Sequence, residues 1–299
     1  MQESTTGKGG SRSDRSERQD AYASCLQIAR GHYENFPVIS VLLPRAIRQH
    51  IAAIYVFART ADDYADEGEA PITERLAALD RHESRLDRAL DGYPDSPPFV
   101  ALGATLRETG IDDRHLRDLL DAFRQDVRNN GFADQKELLD YCKRSACPVG
   151  QLVLALYHQT DPEALAASDD ICTGLQLVNF WQDIGRDLPT GRINLPRATM
   201  QKHRYDRAML EAGIENEDFR AMVRDLTEEA ADYLRRGARL LPMVRSWRLR
   251  SQLRWTIIGG LAIAEKIGKN DACVLSMRPT LGKSDIGLLL RLRLRSNTG

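Results

Sequence analysis

The chain has 299 residues, enough for one large domain or two small ones. Its 42 basic and 43 acidic residues leave a formal net charge of −1, so no global field marks a nucleic-acid binder. Five scattered cysteines (Cys25, Cys142, Cys147, Cys172 and Cys273) show no CxxC spacing. They suggest neither a zinc site nor a disulfide framework, and fit reduced thiols in a cytoplasmic protein.

Residues 1–20 lack apolar content and are expected to form a disordered tail without a signal-peptide core. From 21 to 299, apolar residues recur at helical spacing and no run alternates as a strand does, which predicts one all-α domain. Helices are expected over about 18–34, 45–68, 72–91, 97–109, 112–130, 134–158, 162–187, 203–212, 216–243, 246–267 and 282–294. Pro44 and Pro71 stand at or just before helix starts, and Pro94, Pro97 and Pro98 mark a loop. Pro148, with Gly150 beside it, should bend or break the helix over 134–158. Pro189, Gly191 and Pro196 make the stretch after 187 irregular. The longest apolar run, Trp255 to Ala264, is about half of a membrane span. The basic, leucine-rich end from Ile286 to Arg295 reads as a terminal helix packed on the body, with peripheral membrane contact as the alternative. No repeat, GxGxxG or GxxxxGK[ST] motif is present.

Two acidic motifs carry the chemistry. The first is Arg59-Thr60-Ala61-Asp62-Asp63-Tyr64-Ala65-Asp66, and the second is Asn179-Phe180-Trp181-Gln182-Asp183-Ile184-Gly185-Arg186-Asp187. Residues three or four apart share a helix face. That places Tyr55, Arg59, Asp62 and Asp66 on one stripe, and Gln176, Asn179, Asp183 and Asp187 on another. Both stripes are expected to continue apolar faces, Ile47, Ile51, Ile54, Tyr55 and Ala58 in the first case, where an unpaired acid is costly. Facing stripes of this kind would rim a pocket with oxygen ligands, the donors Mg²⁺ takes when it bridges carboxylates to phosphates.

These residues resemble the squalene/phytoene synthase family from about His32 to Arg295. The first motif matches its ArgxxAspAspxxAsp pattern at Arg59, Asp62, Asp63 and Asp66. The second matches GlnxxAsnxxxAspxxxAsp at Gln176, Asn179, Asp183 and Asp187, followed by Gly191-Arg192-Ile193-Asn194-Leu195-Pro196. A third signature runs from Tyr141-Cys142 through Ser145-Ala146 to Val149-Gly150. Finer details resemble the hydroxysqualene synthase branch of bacterial hopanoid gene clusters: His32-Tyr33-Glu34-Asn35-Phe36-Pro37-Val38, the Pro148-Val149-Gly150 bend, and Asn179-Phe180-Trp181-Gln182-Asp183. Asn35, Gln182, Asn194 and Leu261 depart from the commoner family residues.

The resemblance implies the isoprenoid-synthase helical bundle with a central cavity, a prenyl diphosphate substrate and Mg²⁺. It implies metal ligation by Asp62, Asp66, Asn179, Asp183 and Asp187, with Asp63 assisting from behind. Arg59 becomes the main phosphate-binding cation, and His32, Tyr55, Gln176, Arg192 and Arg278 are further diphosphate candidates. Phe36, Tyr141 and Trp181 would offer aromatic faces to a carbocation, Asn35 would touch substrate, and Gln182 would orient a water. Presqualene diphosphate, handed over by a partner enzyme, is the substrate this branch implies. A squalene or presqualene diphosphate synthase using farnesyl diphosphate is the alternative, with NADPH if reductive. A non-catalytic scaffold of the same fold is the rival from another class, which usually loses the aspartates retained here.

Overall fold

The computed structural model describes residues 10–31, 44–66, 70–128, 131–282 and 285–295, and among them no strand occurs. The contacts divide the chain into two compact helical units, Met1–Arg128 with Ala155–His158, and Asn129–Leu154 with Gln159–Gly299.

The first unit contains α1 (Gly10–Gly31), α2 (Arg45–Asp66), α3 (Ile72–Leu90), α4 (Pro97–Thr109) and α5 (Arg114–Arg128). Helix α1 starts at Gly10, inside the segment expected to be a disordered tail. Its polar first turns lead into Ala21, Tyr22, Cys25 and Ala29, which are buried against Ala52, Ala53 and Val56 of α2 and Ala101 and Ala104 of α4. Alanines at these crossings let backbones approach closely. Helix α2 packs on each of the other four helices. Its buried face is Ile51, Ala52, Ala53, Val56, Phe57, Ala61 and Ala65, whereas Ile47, Ile54, Tyr55 and Ala58 are only partly buried. The acids therefore lie beside the buried stripe and do not prolong it. His82 of α3 is buried, stacks on Phe57 at 4.5 Å and sits 3.1 Å from the Phe57 carbonyl oxygen.

The second unit is built around α8 (Pro162–Gln182), with α12 (Glu217–Gly237) and α14 (Trp247–Lys269) packed on it. Asp161 caps α8 by accepting from the Glu163 and Ala164 amides, with Pro162 in the first turn. Gly174 of α8 and Gly237 of α12 make the crossing close. A Cβ on Gly174 would stand 2.9 Å from the Ala230 carbonyl, and one on Gly237 2.8 Å from the Ile171 nitrogen.

The helix expected over 134–158 divides into α6 (Gln135–Ser145) and α7 (Cys147–Leu156). Pro148 lies in the first turn of α7, where its missing N–H costs nothing, so the bend becomes a break. The helix expected over 162–187 also breaks. Helix α8 ends at Gln182, and Asp183, at φ −101° and ψ 6°, separates it from α9 (Ile184–Asp187). Beyond the short turn Leu188–Thr190 and the loop that follows come α10 (Arg197–Lys202), which no sequence pattern announced, α11 (Arg207–Glu211), α12 and α13 (Leu240–Met243). Helix α15 (Ile286–Arg295) packs on α14 and its Arg291 pairs with Glu265, as expected of a terminal helix docked on the body.

Candidate active site

In the first unit, Arg59 holds the acids of its own helix. Its Nη1 donates to Asp62 Oδ2 at 3.0 Å, and Nη2 lies 2.6 Å from Asp63 Oδ1. These i,i+3 and i,i+4 pairs follow from helical geometry. Asp62 and Asp63 remain about one third exposed, and Asp66 is exposed at the end of α2. Tyr55 lies one turn before Arg59. Burial pushes its phenol upward, opposed by Arg59 and reinforced by Asp63 and Asp62, so it stays protonated at neutral pH. His32, Asn35 and Phe36 fall outside the described residues.

In the second unit, the break in α8 turns the Asp183 carboxylate towards a distant loop. Arg278 grips it with both Nε and Nη2, the latter at 3.2 Å. The guanidinium's pKa rises through these bonds, with a smaller contribution from Asp187. Asp187 follows one turn on, its amide donating to the Asp183 carbonyl at 2.8 Å. Asn194 Nδ2 donates to Asp187 Oδ2 at 3.0 Å, and the Arg192 amide donates to the Asp187 carbonyl at 3.2 Å. Gln176 is half-buried and Asn179 exposed on the last two turns of α8. Asp183 is 21% exposed, open to a ligand while still supported.

Gly185 explains how close this assembly is. A Cβ there would meet the Val274 carbonyl at 2.7 Å, so only glycine lets α9 press on the 271–282 loop. Glu215 pins the same loop by accepting from the Leu275 amide at 2.8 Å and the Ser276 hydroxyl at 2.9 Å.

Two expected roles are corrected here. Trp181 is fully buried, so its ring packs in the core. Gln182 is also buried, and its Nε2 donates to the Pro279 carbonyl at 2.5 Å. That amide fastens the loop carrying Arg278. The helix phase explains both: at the end of α8, positions 177, 178, 181 and 182 point inward while 179, 180 and 183 point outward. Tyr141 is buried too, 5.3 Å from Phe132 and 6.0 Å from Phe180 between ring centroids. Phe180 is the aromatic that sequence reasoning passed over. Its half-exposed ring beside Asn179 was signalled by the same helix phase. Asn194 and Glu215 were also missed as supports, because their partners lie in other segments.

The donors in both units are oxygens, which is the set a hard cation such as Mg²⁺ takes with phosphate. Among the described residues, no three His, Cys, Asp or Glu side chains group closely enough to hold an ion by themselves. The large cavity of the second unit, about 1530 Å³ between α12 and α14, is lined by Arg250, Arg254, Ile258 and Leu261 and by none of the motif residues. All five cysteines are free thiols, with Cys25, Cys142 and Cys147 buried. Burial pushes Cys142 up to about 12, which leaves it an inert thiol.

Comparison with known proteins agrees with this picture. The hydroxysqualene synthase of Sinorhizobium fredii is 34% identical over 249 residues, 83% of this chain and 81% of that protein. The 15-cis-phytoene synthase of Synechococcus elongatus is 30% identical, over 83% of this chain and 82% of its own. The crystal structure of squalene synthase HpnC from Alicyclobacillus acidocaldarius superposes with a TM-score of 0.81 at 35% identity, covering 86% of this chain and 96% of that one. Residues 29–285 match the squalene/phytoene synthase family. With its helical units, its two acidic motifs and this match across nearly all the described chain, the protein belongs to the squalene/phytoene synthase family.

Proposed function

We propose that this protein converts presqualene diphosphate and water to hydroxysqualene and diphosphate, with Mg²⁺, in the supply of squalene for hopanoids. The observation that carries the reading is the pair of arginine-supported acidic clusters, Arg59 with Asp62 and Asp63, and Arg278 with Asp183. Each couples oxygen donors for a metal to a cation for phosphate, which is the chemistry that loss of a diphosphate demands. The Sinorhizobium relative, named a hydroxysqualene synthase, supports the choice of product.

Asp62 and Asp66 in the first unit, and Asn179, Asp183 and Asp187 in the second, would hold Mg²⁺ against diphosphate oxygens. Bound there, the metal would neutralise the charge that develops as the C–O bond breaks. The chain's own contribution is cationic and positional. Arg59 and Arg278 carry planar guanidinium forks matched to phosphate oxygens. Asn194 fixes the carboxylate of Asp187, and Gln182 with Glu215 fixes the loop that delivers Arg278. Ionisation leaves a cyclopropylcarbinyl cation, and attack by water on the rearranged cation, with loss of one proton, gives the alcohol. Handover of presqualene diphosphate from the enzyme that makes it, in the cytoplasm, completes the reading.

A second reading, condensation of two prenyl diphosphates, is favoured by the match to a 15-cis-phytoene synthase. Product analysis separates the two. Purified protein is given presqualene diphosphate or farnesyl diphosphate, with and without NADPH, in ¹⁸O-labelled water. Labelled hydroxysqualene formed from presqualene diphosphate without NADPH supports the proposal. Squalene formed only with NADPH, or presqualene diphosphate formed from farnesyl diphosphate, overturns it.

A further inference from the structure

The chain has three tryptophans, and they divide into two kinds. Trp181 is fully buried, whereas Trp247 is 61% and Trp255 42% exposed. Both exposed rings stand on α14, eight residues apart, which places them about 80° from each other around the helix. Ser251 lies one turn from each, and the exposed Arg248 shares their face with its guanidinium 5.5 Å from the Trp247 ring. Exposed Arg245 precedes the helix, whereas Arg250 and Arg254 are half-buried and line the cavity that Asp225, Glu228 and Glu265 also line.

Along the chain, the charge near these rings is of one sign. No acidic residue occurs between Asp232 and Glu265. Arg235, Arg236 and Arg239, earlier in that interval, are neutralised by Glu228, Asp232 and Asp170. Among the described residues, Arg245, Arg248, Arg250 and Arg254 have no ion pair. A protein of net charge −1 thus sets two exposed guanidinium groups without an ion pair, Arg245 and Arg248, beside its two exposed indoles.

We propose that the start of α14 is a docking surface for a bilayer that contains anionic lipid. Indole rings settle at the boundary between headgroups and acyl chains, and arginines extend from such a helix to lipid phosphates. A second copy of this chain is the poorer occupant, because a two-fold contact through this face would set arginine against arginine. The inference concerns where the protein works and does not depend on which product it makes. It also differs from a membrane role for α15, whose Arg291 is committed to Glu265.

The test is co-sedimentation of the full chain with vesicles of phosphatidylcholine alone or with about one third phosphatidylglycerol. The expected result is binding to the mixed vesicles, weakened by salt, with a blue shift in emission from the two exposed indoles. Trp247→Ser with Trp255→Ser, and separately Arg245→Glu with Arg248→Glu, should each weaken binding about tenfold or more. Circular dichroism should be unchanged, because these side chains lie on the surface. Equal binding to both vesicle types, or none, overturns the proposal. So does wild-type binding by both variants, which would move the contact to another surface such as α15. Self-association that disappears in the tryptophan variant would overturn it in favour of an interface between copies.

Discussion

The two acidic clusters are built in different ways. In the first unit, Arg59 reaches Asp62 and Asp63 on its own helix, three and four residues away. In the second, Asp183 sits at a helix break and is held by Arg278, ninety-five positions along the chain. Asn194 supports Asp187 from the next loop, and Gln182 and Glu215 tie down the segment that carries Arg278. The first arrangement exists as soon as α2 forms. The second exists only when the 271–282 loop has docked. Distant substitutions should therefore disturb the second cluster and leave the first alone.

The largest expected effect makes the two clusters equal. Asp62→Ala and Asp183→Ala each remove an oxygen donor that the proposed loss of diphosphate would use. Both should lower turnover of presqualene diphosphate about a thousandfold or more, with the helical circular dichroism retained. Near-normal turnover in either variant would show that its cluster is not part of the reaction.

Next in size, Arg59→Lys keeps the charge but loses the planar fork. We expect kcat/KM to fall by about ten- to a hundredfold, mostly through weaker diphosphate binding. Wild-type kinetics would assign Arg59 to helix stability alone.

Gln182→Ala acts on the second cluster alone, because Gln182 bonds the loop that carries Arg278. It should free Pro279 and with it the arm of Arg278, lowering kcat/KM by about five- to tenfold. Hydrogen exchange should rise over residues 274–281 and stay unchanged in α2. Equal protection of that loop in the variant and the parent would refute the tethering role.

The smallest effect concerns stability. Burial lowers His82 from an ordinary 6.5 to about 4, opposed by its bond to Phe57. Because the folded value lies below the unfolded one, the neutral ring contributes its full stability above pH 6.5. That contribution is lost as pH falls through about 4, since the unfolded chain takes up the proton first. His82→Gln should flatten the fall in Tm between pH 6.5 and 4. An unchanged slope would assign the acid sensitivity elsewhere.

Periodicity and spacing were enough for the all-α class, for most helix positions and for the two acidic motifs. Those features depend on residues within one or two turns of each other, and α2 with Arg59, Asp62 and Asp63 is read correctly on that basis. Local pattern failed where a distant segment sets the geometry. The break at Asp183 depends on the 271–282 loop pressing on Gly185. The roles of Trp181 and Gln182 depend on which side of α8 is covered, and an apolar or neutral residue near a motif carries no mark of that. Helix α1 extends over a polar segment that composition alone reads as disorder. The acidic motifs and their spacing are set by residues close together in the chain, and local pattern is enough to find them. Which side chains face solvent, and which loop delivers Arg278, depends on contacts between segments nearly a hundred residues apart, and these exist only in the folded chain.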